Sequence, residues 1–205
     1  MGRLSFVCGA IVFDRPFLAP LFSLAAVTRK KTGGKLDVTR LPPYVKFILS
    51  FLAQRLGERR MVHRMRGKPK AGRVIERFRT GAKAEGELVT VGGYQTRDGK
   101  GTEIHPDQAK WFLLTLTRAN APWAFARGEL FRAIASLELL GSLLGIMLLL
   151  EGKDDGDHFH VGSLSVGGLT DNSGNRFAVA RMMTTKCPLV AFLAELATQL
   201  EHLNL

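Results

Sequence analysis

Cysteine is nearly absent from the 205-residue chain: Cys8 and Cys187 stand far apart and without metal-ligand spacing. A disulfide framework and a cysteine zinc site are thereby excluded, and both side chains read as reduced thiols of an intracellular protein. Acid is scarce as well. Asp and Glu number 18 against 29 Lys and Arg, for a formal net charge of +11 and a sequence pI near 10.2. Such a balance favours a polyanionic partner, nucleic acid first and an anionic membrane surface second, because counterions released from a phosphate backbone drive binding. The plain alternative is a solvated basic surface. A nucleotide-binding phosphate loop is missing: Thr32-Gly-Gly-Lys35 lacks the glycine spacing, the following Ser or Thr and a preceding strand. A secretory leader is not supported either, since Asp14-Arg15-Pro16 interrupts the apolar stretches Phe6 to Phe13 and Phe17 to Val27, and Pro20 falls inside the second. The opening Met-Gly-Arg-Leu-Ser-Phe has no Ser or Thr at position 6, so myristoylation is not expected.

What the chain does have is apolar substance. Hydrophobic residues make up 46% of it, enough for the core of one ordinary domain with an appendage. The longest apolar stretch, Ile134 to Leu150, contains a single acid, Glu138. Burying a lone carboxylate costs several kcal/mol, so it should have a partner. At helical spacing its neighbours are Ile134, Ala135, Gly141 and Ser142, with Gly145 a turn further, and small residues there let a helix backbone lie close to a sheet. The length and the Gly141/Gly145 pattern also invite a membrane-span reading; Glu138 and Arg132 count against it.

Taken in order, residues 1 to 27 read as one or two short helices broken at Arg15-Pro16, followed by a basic linker from Thr28 to Arg40. Pro42-Pro43 opens a helix from about Tyr44 to Arg60, with Val45, Ile48, Leu49, Leu52 and Leu56 at helical spacing. Strands are expected over about Val74 to Ala82, Leu88 to Gln95 and Trp111 to Thr117, with Gly86 in the first connection and Asp98-Gly99 in the second. A helix from about Glu129 to Leu150, a strand from Ser163 to Thr170, a short helix from Arg176 to Thr184 and a last amphipathic helix from Leu189 to His202 complete the pattern. Periodicity alone gives a mixed α/β domain.

The densest positive run comprises Arg55, Arg59, Arg60, Arg64, Arg66, Lys68, Lys70, Arg73, Arg77, Arg79 and Lys83, against Glu58 and Glu76 only. It is suited to track a nucleic-acid backbone without sequence choice, or else is a solvated linker. Trp111-Phe112 and Trp123 to Phe125 offer aromatic surface, for stacking on bases or for packing. Asp154-Asp155-Gly-Asp157-His158-Phe-His160 reads as a polar loop before a strand, with a metal role for His158 and His160 as the alternative.

Several segments in fixed order resemble another group of proteins: Gly2-Arg-Leu-Ser-Phe, Arg15-Pro-Phe-Leu-Ala-Pro-Leu21, Val91-Gly-Gly-Tyr94, Trp111-Phe112, Ala121-Pro-Trp-Ala-Phe125, Ser136-Leu-Glu-Leu-Leu140 and Leu169-Thr-Asp-Asn172. Together they resemble the reverse transcriptase and ribonuclease H polyproteins of DIRS-like and related retroelements. The resemblance implies a ribonuclease H-like mixed sheet over residues 71–205, in the order three strands, helix, strand, helices. Before it, residues 1–70 would correspond to a helical, basic segment from the end of the polymerase, near thumb and connection. The paired aspartates of a polymerase palm are missing, so polymerisation by this chain is not expected.

By the same resemblance the activity is two-metal hydrolysis of RNA in RNA–DNA hybrids, with two magnesium ions held by carboxylates. Glu138 takes the place of the acid on the first helix and Asp171 that of the acid ending the fourth strand, both as catalytic residues and metal ligands. The first acid position aligns with Gly81, which has no ligand to offer; Glu76 and Glu85 are speculative substitutes. The fourth acid would lie beyond Leu205, so the domain reads as degenerate and C-terminally truncated, with impaired hydrolysis. A catalytically inactive module that binds RNA or hybrid is the second expectation, and a membrane-associated protein the third. An intracellular location, nuclear or cytoplasmic, follows from the resemblance.

Overall fold

A computed structural model describes residues 12–32, 41–57, 75–98, 101–126, 133–150, 166–169 and 173–202. The 3-10 turn Val12–Asp14 leads into α1 (Arg15–Thr32), and α2 (Pro43–Gly57) follows. The strands β1 (Ile75–Glu85), β2 (Leu88–Gln95) and β3 (Trp111–Leu116) come next, then the short α3 (Pro122–Phe125). The chain continues through α4 (Ile134–Gly145), prolonged by a π-helical turn over Ile146–Leu150, then β4 (Val166–Leu169), α5 (Ser173–Arg181) and α6 (Leu189–His202).

The β1–β2 hairpin closes at Gly86, whose φ of 59° is the left-handed geometry that glycine adopts without steric cost. β2 pairs antiparallel with both β1 and β3, while β4 runs parallel to β1, giving the sheet order β3-β2-β1-β4. The parallel pair requires a crossover, and α4 is the long helix described in that connection. The protein is thus a mixed α/β fold, with helices packed on one face of its sheet.

α4 lies unusually close to the strands, as its small residues foretold. A Cβ built on Gly141 would stand 3.2 Å from Val91 Cγ1, and one on Gly145 would stand 2.8 Å from the Phe78 ring. On the α4 side, Phe78, Leu139, Leu143, Ile146, Leu193 and Leu196 form one apolar cluster, and Val89, Val91, Leu116, Phe125 and Leu137 a second. Burying such side chains is the main favourable term in the fold, about 1.5–3 kcal/mol for each large one.

The N-terminal region departs from expectation. Instead of ending near Val27 in a basic linker, α1 continues to Thr32, with Pro16 in its first turn and Pro20 inside. Proline is tolerated at the start of a helix because the first N–H groups have no intrahelical acceptor. Leu18 and Leu21 pack with Val45, Ile48 and Leu52 of α2 in a third cluster, and α1 and the turn before it rest on α6. Among the described residues no helix is long and apolar enough to cross a membrane. The expected helix over Glu129 to Leu150 is represented by α4 and its π-helical end; residues 127–132 lie outside the described residues.

Candidate functional site

Glu138 is the one acid of α4, and it is buried, at 9% exposure. Its neighbour across the fold is Asn175 on α5, itself 2% exposed. The Asn175 amide nitrogen donates to the Ala135 carbonyl at 2.7 Å and lies 3.4 Å from Glu138 Oε2. One amide therefore ties the first turns of α4 to α5 and gives the buried carboxylate a donor, which is what burial of a charged or polar group requires. Ser142 Oγ donates back to the Glu138 carbonyl at 3.1 Å.

Asn175 carried no signal of its own in the sequence, where Asn172-Ser-Gly-Asn175 reads as a turn. The available clue was the requirement that Glu138 have a partner, and the fold meets it with an amide. Asp14, buried at 1% exposure, was also missed. It immediately precedes α1, where an Asp before Arg-Pro is a recognisable helix-start residue and the exposed N–H groups favour negative charge.

A groove of about 460 Å³ runs beside this contact, lined by Ala135 of α4, Asn175 and Phe177 of α5, and Arg181 and Lys186 further along the chain. Asn175 thus serves both the buried contact and the wall of an accessible cleft that also carries cations. Asp171 lies outside the described residues, between the end of β4 at Leu169 and the start of α5 at Ser173. The Asp154 to His160 segment lies outside them too.

Gly81, aligned with the first acid position, does not face α4. Phe78 and Thr80 meet Gly145 and Gly141 of α4, so the alternate residues Phe78, Thr80, Ala82 and Ala84 face the helix. Gly81 is exposed on the opposite face, and a Cβ there would meet nothing within 4 Å. A carboxylate at position 81 would point away from α4. Neither proposed substitute stands in for it: Glu76 is bonded to Arg79, and Glu85 to Lys83, both pairs largely solvent-exposed. The helix-facing positions of β1 from Phe78 to Ala84 carry no acid. Among the described residues no group of three or more His, Cys, Asp or Glu is arranged to hold a metal ion. Among the described residues the side chain beside Glu138 is the Asn175 amide, and Asp171, the other expected ligand, lies outside them.

Of the basic run, Arg77, Arg79 and Lys83 are described on β1, Arg79 and Lys83 on the face away from α4 and Arg77 at the bulge between Glu76 and Phe78. Arg55 lies on α2, and Arg59, Arg60, Arg64, Arg66, Lys68, Lys70 and Arg73 lie outside the described residues. The Arg79 guanidinium is held above its ordinary pKa, first by its bond to Glu76 and then by the Tyr94 phenol. Lys83 is raised by its bond to Glu85, and Glu85 is lowered by the same contact.

The aromatic residues sort into two groups. Trp123 meets the Phe192 ring edge-on at 5.1 Å, Phe125 is buried, and Phe112 packs inward beneath Gly93, so these three are packing residues. Trp111 is different: it is 72% exposed. The chain matches no family model, no curated protein and no solved structure.

Proposed function

We propose that the chain is a ribonuclease H-like domain of retroelement ancestry whose hydrolysis of RNA–DNA hybrids is impaired, leaving nucleic-acid binding as its working property. What supports the fold assignment is the element order, three antiparallel strands, a helix, a strand parallel to the first, then helices, together with a buried acid on the crossover helix. What supports impairment is a single observation. β1 turns Phe78, Thr80, Ala82 and Ala84 toward α4, and none of these carries a carboxylate that could bridge two cations. Loss of such a ligand removes transition-state stabilisation worth several kcal/mol, and each ~1.4 kcal/mol is tenfold in rate.

The test is incubation of the purified chain with an RNA–DNA hybrid in magnesium, beside the variants Glu138→Gln, Asp171→Asn and Gly81→Asp. The expected result is no cleavage by the parent chain above the level of Glu138→Gln, and no gain in Gly81→Asp, whose new carboxylate would face away from α4. Magnesium-dependent cleavage by the parent chain that both Glu138→Gln and Asp171→Asn abolish would refute the proposal of impairment.

A further inference from the structure

The face of the sheet turned away from α4 carries several exposed side chains among the described residues, and its composition is unusual for a solvent face. Outward on β1 stand Arg79, Gly81, Lys83 and Glu85; on β2, Leu88, Thr90, Gly92 and Tyr94; on β3, Trp111, Leu113 and Thr115. The register sets these side by side. Arg79 pairs with Tyr94 and Tyr94 with Trp111; on the next outward row Gly81 pairs with Gly92 and Gly92 with Leu113; on the row after that Lys83 pairs with Thr90 and Thr90 with Thr115. Strands lie about 4.8 Å apart and outward rows about 7 Å, so the whole patch is roughly the size of a few nucleotides.

Exposure makes the case specific. Trp111 is 72% exposed, Leu113 65% and Tyr94 45%, on adjoining rows of one face, and Leu88, 57% exposed, lies beyond the Lys83 row beside Glu85. Large aromatic residues are ordinarily well buried, and a contiguous exposed apolar patch marks an interaction surface. The paired glycines Gly81 and Gly92 leave the middle row without side chains on two of its three strands, so it forms a shallow trough between an aromatic row and a row carrying Lys83.

We infer that this face binds single-stranded nucleic acid, with bases stacked on Trp111 and Tyr94 and phosphates held by Arg79 and Lys83. Aromatic faces accept any unpaired base, whereas a duplex keeps its bases stacked inside and offers only their edges. The acids nearest the two cations, Glu76 and Glu85, hold them in exposed ion pairs. Such pairs are worth little, so exchange for a phosphate oxygen is readily accommodated. Charge also argues against the simplest rival occupant. A second copy would bring the same net +11 and the same cations against this surface, whereas a phosphate chain neutralises them. The sheet face is separate from the Glu138–Asn175 contact, so the inference deepens the nucleic-acid-binding part of the proposed function and is independent of hydrolysis.

The experiment uses the full chain with fluorescein-labelled 12-nucleotide oligouridylate and oligodeoxythymidylate, read by anisotropy and by tryptophan emission. Trp111 emission should be quenched on binding, while Trp123, packed against Phe192, contributes a constant background. Trp111→Ala should weaken binding about tenfold, with an unchanged circular dichroism spectrum because the side chain supports no core. The double variant Arg79→Gln, Lys83→Gln should flatten the slope of log affinity against log salt by roughly 1.4, about 0.7 for each phosphate no longer neutralised. The inference is overturned if Trp111→Ala binds both oligonucleotides as tightly as the parent. It is equally overturned if the parent sediments as a dimer that Trp111→Ala dissociates, which would make the face a protein interface. Because no cleavage is measured, failure here leaves the hybrid-hydrolysis test untouched, and the reverse also holds.

Discussion

Asn175 holds the two first turns of α4 and α5 together, and a change of one atom in its side chain tests how. Asn175→Asp exchanges the amide donor for a carboxylate facing Glu138 Oε2, where like charges disfavour joint ionisation. The pair would then bind protons more tightly when folded than when unfolded. Its destabilisation is full at neutral pH, where the unfolded chain has both groups ionised, and is relieved as pH falls and the folded pair takes up a proton. The expected outcome is a thermal midpoint below that of the parent at pH 7 and a smaller deficit at pH 5. Asn175→Ala, which loses the 2.7 Å bond to the Ala135 carbonyl without adding charge, should cost about 1–3 kcal/mol with no such pH dependence. A deficit in Asn175→Asp that is equal at both pH values would show that Glu138 does not face the new carboxylate as an ion. Glu138 could be singled out in the sequence because it interrupts an apolar helix. Asn175 could not, since it lies 37 positions away and nothing local announces the contact.

Among the elements, α4 is the one whose position depends most on small residues. Gly145 sits so near β1 that an added methyl group would stand 2.8 Å from the Phe78 ring and 3.1 Å from Thr80 Cγ2. Alanine would ordinarily favour a helix by roughly 1 kcal/mol over glycine. Here overpacking against the Phe78 ring, typically about 1–3 kcal/mol, opposes and outweighs that gain. Gly145→Ala should therefore lower the thermal midpoint, by about 2–4 °C for each kcal/mol lost in a chain of this size. An unchanged or raised midpoint would mean that Phe78 swings aside without cost and that the close approach is not a packing constraint. The spacing Gly141/Gly145 was visible in the sequence and fitted either a membrane dimer or a sheet contact. The pairing with Phe78, Thr80 and Val91 belongs to the sheet contact.

At the scale of the whole molecule, the N-terminal helices are built onto the sheet domain through α6. Leu52 is 2% exposed between α1 and α2, and Phe13, just before α1, packs against the main core. Leu52→Ala removes a buried side chain that typically contributes about 2–5 kcal/mol. If α1, α2 and the sheet form one cooperative unit, the variant should melt in a single transition shifted as a whole. Followed by far-ultraviolet circular dichroism and tryptophan emission together, the two signals should coincide. An early loss of helical signal with the tryptophan transition unmoved would show that residues before β1 melt by themselves.

The sequence by itself determined the kinds of elements and many of their limits. β2 from Leu88 to Gln95 and α6 from Leu189 to His202 were legible because local chemistry punctuates them, Gly86 before the one and Pro188 before the other. The facing of β1 was also written there, with Arg79 and Lys83 alternating against Phe78, Ala82 and Ala84, and Gly81 falls on the face of the two cations. Tertiary structure decided the rest: the parallel pairing of β4 with β1, the amide that meets Glu138, and the alignment of Arg79, Tyr94 and Trp111 across three strands. The physical reason is range. Periodicity, capping and turns are settled within a few residues, whereas register and partners depend on which distant segments share a sheet, and no local signal encodes that choice.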